Sequence, residues 1–124
     1  MSRPALALLL MLAAGGCAET LSEPPGVYQG IGDWERHRLE LGVDGRFRHS
    51  WRDAAGTHEE RGRWSASSRN GYKVDHDACL YIDLEGYKEP GRSKSDYAQA
   101  CGLRQAGDDL LIFNDDKQWA YRKL

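Results

Sequence analysis

A period of two constrains this chain more than any other feature. From Gly26 onward apolar and polar side chains alternate: His37-Arg38-Leu39-Glu40-Leu41, then Phe47-Arg48-His49-Ser50-Trp51, then His58-Glu59-Glu60-Arg61-Gly62-Arg63-Trp64. Successive strand side chains point to opposite faces, so the pattern prescribes one buried face and one wet face. Turn-forming residues separate the runs, as Val43-Asp44-Gly45 and Asp53-Ala54-Ala55-Gly56. Further strands are expected at residues 27–31, 72–75, 80–84, 98–104, 110–113 and 118–122. Short connections make sequence neighbours pair, which predicts an all-β antiparallel meander. About eight such strands can remove their exposed edges by closing into a small barrel. A two-sheet sandwich is the alternative.

The register of the first hairpins follows from the apolar pattern. A two-residue Asp-Gly turn would put Leu41 and Phe47 on opposite faces, whereas a three-residue loop with Gly45 left-handed pairs them. The pairing then runs Leu39 with His49 and His37 with Trp51. Across the next turn it continues as Trp51 with His58, His49 with Glu60 and Phe47 with Gly62. In the last hairpin, Ile112 is expected opposite Trp119 and Leu110 opposite Tyr121. Tyr28, Trp64, Trp119 and Tyr121 are assigned to packing.

The N-terminus is excluded from this pattern. Met1-Ser2-Arg3 is a short basic start, and residues 5–14 (ALALLLMLAA) are nearly pure Ala and Leu. As a helix that run spans about 15 Å, half a hydrocarbon core, so it is no membrane anchor. Residues 1–16 are predicted to be an export signal peptide. Ala14-Gly15-Gly16-Cys17 resembles the bacterial lipoprotein processing signal, although Ala14 stands where Leu is usual. Cys17 is the expected lipidation site; ordinary signal cleavage nearby is the alternative. Three cysteines in an exported chain leave one over. With Cys17 acylated, Cys79 and Cys101 form an even pair, expected as a disulfide worth about 3 kcal/mol. Two free thiols or a metal pair are the alternatives. Residues 17–25 read as a lipidated tether and 26–124 as the β domain.

A net charge of −2 gives nucleic-acid binding no support. The most suggestive chemistry is the group His37, His49, His58 and Glu60. Imidazole and carboxylate suit zinc or copper. Residues on alternate strands stand about 9–10 Å apart, however, so His37 and His58 should flank Trp51 instead of converging. His49 and Glu60 are expected as a hydrogen-bonded pair near the wet end. Neither a metal nor another cofactor is assigned. With no nucleophile-and-base arrangement readable, an enzyme is not expected. Arg36, Arg38, Arg46, Arg48, Arg61 and Arg63 are expected on the outer face among Glu40 and Glu59, a solvated surface or one that attracts an anion. The polar stretch 85–97 is expected to be a loop offering Tyr87 and Tyr97 for recognition.

At Gly26-Val27-Tyr28-x-Gly30, Leu39-x-Leu41-x-x-Asp44-Gly45-x-Phe47 and Gly62-x-Trp64 the chain resembles small lipocalin-like bacterial lipoproteins. Within that class it resembles the N-terminal domain of the envelope-stress and copper-resistance lipoprotein group. The resemblance covers residues 26–64 and implies a lipocalin-like barrel. That group carries a Cys-x-x-Cys where this chain has Gly32-Asp33-Trp34-Glu35, so metal or redox sensing does not carry over. The expected function is a non-enzymatic binding module, lipid-anchored in the bacterial envelope, facing the periplasm and most naturally on the outer membrane. Its partner would be an envelope protein or an anionic envelope component. A carrier or sensor of a small ligand or metal at the histidine end is the alternative.

Overall fold

Residues 19–21, 23–67, 80–88, 97–114 and 119–124 are described by a computed structural model. Among them the alternation becomes nine strands and one 3-10 turn. The strands are β1 (Glu19–Thr20), β2 (Gly26–Ile31), β3 (His37–Leu41), β4 (Arg46–Asp53), β5 (Gly56–Ser67), β6 (Leu80–Glu85), β7 (Tyr97–Gln105), β8 (Asp108–Asn114) and β9 (Trp119–Lys123); the 3-10 turn is Gly32–Trp34. From β2 to β9 each strand pairs antiparallel with its sequence neighbour, and β9 pairs back onto β2. The meander therefore closes into an eight-stranded antiparallel barrel, and the sandwich alternative falls away. Residues 1–18, Cys79, the expected strand at 72–75 and residues 89–96 of the expected loop lie outside the described residues.

The predicted register of the first hairpins is the observed one. Leu41 pairs with Phe47, Leu39 with His49 and His37 with Trp51. Phe47 pairs with Gly62, His49 with Glu60 and Trp51 with His58. Gly45 takes φ +81°, which an L side chain resists. The Gly42 N–H donates to the Arg46 carbonyl at 2.7 Å, closing the three-residue loop. Trp64 ties the next strand to the same loop, its N–H donating to Gly45 O at 2.9 Å and its indole to Gly42 O at 2.8 Å.

Two expectations are corrected. In the last hairpin Leu111, not Leu110, faces Tyr121; Leu110 opposes Arg122, and Asn114 opposes Trp119 beyond a bulge. Residues 110–113 are apolar without interruption, so no alternation distinguishes one face from the other. The second correction concerns the tether. Glu19 and Thr20 pair with Arg104 and Leu103 of β7, and Leu21 is buried. Pro24 O accepts from the Tyr28 hydroxyl at 2.6 Å, and Glu23 O from Lys123 Nζ at 2.5 Å. Much of the supposed spacer is thus seated on the barrel.

Among the described residues, large side chains occupy the inward positions. Tyr28, Leu39, Ile82, Leu84, Tyr87, Leu111 and Tyr121 are fully buried, each aliphatic one contributing about 1.5–3 kcal/mol. Gly62 is required where β5 faces inward: a Cβ there would lie 1.9 Å from Glu85 O and 2.6 Å from the Phe47 ring.

Candidate functional site

The inward positions of β3, β4 and β5 bring three titratable side chains into one row. His37 Nδ1 lies 2.8 Å from His49 Nε2, and His49 Nδ1 lies 2.8 Å from Glu60 Oε1. The same Glu60 oxygen accepts the Lys88 backbone N–H at 2.8 Å. A neutral imidazole has one donor and one acceptor nitrogen. With the carboxylate oxygen accepting, His49 donates through Nδ1, and its Nε2 accepts from His37 Nδ1–H. The row is directional, and each ring is held in one tautomer by the next group.

Aromatic rings enclose the row. His58, Trp51, His49, Tyr87 and Phe113 stack in a column with successive centroids 5.1, 4.7, 4.4 and 5.1 Å apart. His37 and His58 flank Trp51 as the register requires, with interplanar angles of 10° and 20°. Trp34 covers this end of the barrel, 4.2 Å from His37 and 6.4 Å from Tyr121. Burial, and then the neighbouring His49, hold the His37 imidazole down at a pKa of about 4. Charging it would place a cation among rings and beside a second imidazole.

The His49–Glu60 pair therefore stands as expected, but its setting does not: His49 is fully buried, not near a wet end. The sequence pattern also omits the diagonal contact from His37 to His49, since only directly opposed residues follow from register. His58 stays out of the row, stacked on Trp51 and partly exposed, with its Nε2 2.8 Å from Asp53 Oδ1. That hydrogen bond lowers the Asp53 pKa. Among the described residues no three His, Cys, Asp or Glu side chains are grouped to hold a metal ion. The facing imidazole nitrogens are engaged with each other and with Glu60.

Tyr87 is the largest departure from the sequence reading. Expected on a recognition loop, it lies fully buried, its hydroxyl 2.9 Å from that of Tyr121. Burial raises the Tyr121 pKa, keeping this phenol protonated. Tyr97 does lie exposed at the start of β7, but outside the row; its hydroxyl donates to Asp83, which also accepts from Gln99. Trp34 was not assigned a role from sequence, because its partners come from strands at both ends of the chain. No protein-family model, curated protein or solved structure matches the chain.

On the outer face, Arg38, Arg46, Arg48, Arg61 and Arg63 are exposed as expected. Arg36 sits in the turn before β3 and not on a strand. Glu40 pairs with Arg48, and Glu59 with Arg61 at 2.8 Å.

Proposed function

We propose that this chain is a non-enzymatic lipoprotein of the bacterial envelope, anchored through Cys17, facing the periplasm from the outer membrane, and binding its partner on the outside of the barrel. The observation that carries the reading is Tyr87, seated between His49 and Phe113 and bonded to Tyr121, where a carrier would keep its cargo space. The imidazole row then acts as a polar plug that fixes the packing at this end. The lipocalin-like lipoprotein resemblance belongs to the same proposal, as does a Cys79–Cys101 disulfide, which an exported chain would retain.

Two measurements test it. Mass spectrometry of the mature protein should find an acylated Cys17; an unmodified Cys17 removes the anchor. Photo-cross-linking from exposed Val43, 91% accessible on the β3–β4 loop, should capture an envelope component. Deleting residues 89–96, while sparing Tyr87 and Tyr97, asks whether that stretch is the contact. Tight stoichiometric zinc or copper binding that is lost in His49→Ala would instead favour a metal carrier.

A further inference from the structure

Two pairs of arginines face each other across the β4–β5 ladder, while Glu40 on β3 and Glu85 on β6 stand opposite Arg48 and Arg63 on the flanking ladders. Arg46 lies directly opposite Arg63, and Arg48 directly opposite Arg61. Like charges facing each other across a ladder destabilise it. Glu40 and Glu59 compensate Arg48 and Arg61. The guanidinium groups of Arg46 and Arg63 have no carboxylate partner among the described residues. Both open onto a groove of about 670 Å³, lined by all four arginines with Glu40 and Asp44. Asp44 is occupied with the turn, its Oδ1 accepting the Arg46 backbone N–H at 3.1 Å. Asp44 and Glu85 (opposite Arg63 on β6) stand nearby. With Glu40 and Glu59 offsetting Arg48 and Arg61, the anion-binding character of the groove rests on the guanidinium groups of Arg46 and Arg63, which make no ion pair among the described residues. The planar guanidinium fork matches the paired oxygens of a phosphate, and the volume accommodates a phosphate with a small polar substituent.

Position indicates where that phosphate comes from. The groove adjoins the β3–β4 loop, at the end of the barrel where β7 turns into β8 and where β1 is docked. Glu19 follows Cys17 by two residues, a span of at most about 7 Å. A lipid on Cys17 would therefore hold this end of the barrel, and not the histidine end, against the membrane. We propose that the Arg46/Arg63 groove binds the phosphate of an anionic lipid headgroup in the membrane to which the protein is anchored. The assignment of the headgroup source rests on the anchored reading above.

The described fold lies within residues 19–124, so the chain from residue 18 serves as a lipid-free probe. It should float with phosphatidylcholine vesicles containing phosphatidylglycerol and not with phosphatidylcholine alone. Combined Arg46→Gln and Arg63→Gln should weaken that association about tenfold to thirtyfold without lowering the melting temperature. The same charge removed at Arg36 and Arg52 should leave most of the binding intact. Equal flotation with both vesicle types, or equal loss from both double variants, overturns the groove. Binding of inorganic phosphate, lost in the Arg46→Gln and Arg63→Gln double variant, without any vesicle association overturns the headgroup in favour of a free phosphate. Because this probe lacks Cys17, its result and the acylation measurement can fail independently.

Discussion

His37 and Tyr87 show how single side chains determine this barrel's behaviour. The His37 pKa is about 4 in the fold and near 6.5 in an unfolded chain. Between those values the unfolded state binds the extra proton, so stability rises with pH across the window. Its contribution is intact above pH 6.5, is lost as pH falls from there through about 4, and amounts to about 3 kcal/mol over that window. Urea unfolding at pH 7 and pH 4.5 should show most of this loss, and His37→Asn, a donor that does not titrate, should flatten that part of the slope. Tyr87 makes two separable contributions. Tyr87→Phe keeps the stacked ring and loses the phenol bond, costing about 1 kcal/mol. Tyr87→Ala leaves a cavity between His49 and Phe113 and should cost about 3–5 kcal/mol by urea unfolding.

The β7–β8 turn is the element whose local conformation and residue choice disagree most. Gln105 pairs with Asp108 across Ala106 and Gly107, whose φ values are +54° and +86°. Two positive φ values mark the tight turn that favours Asn-Gly or Gly-Gly, and alanine is strained there. Ala106→Asn should stabilise the protein by about 0.5–1 kcal/mol, seen as a higher urea midpoint at unchanged slope. The β3–β4 and β4–β5 hairpins were legible because their sequences alternate strictly and their turns leave one register that buries both Leu41 and Phe47. The β8–β9 hairpin was not, because residues 110–113 satisfy either face. The brief pairing of β1 with β7 had no signature at all: two residues make too short a run to show a period.

Closure is a property of the whole molecule, and it changes which strands are stable. β2 and β9, first and last in the meander, pair at Tyr28–Lys123 through Ile31–Ala120. Hydrogen exchange should therefore find the amides in that ladder as protected as those of the β3–β4 ladder. An open meander would show them fraying first. The sequence by itself determined the strand period, the antiparallel meander, the register of three strands and the partnership of His49 with Glu60. Each is a relation between neighbours, carried by alternation and turn chemistry. Only the tertiary structure decided that Tyr87 enters the core, that His37 reaches diagonally to His49, that Trp34 covers the histidine end and that Leu21 seats the N-terminal segment. The His37–His49 contact crosses one ladder on the diagonal, which register alone does not specify. The other contacts join residues on non-adjacent strands or outside the ladders, where the closed barrel brings them together.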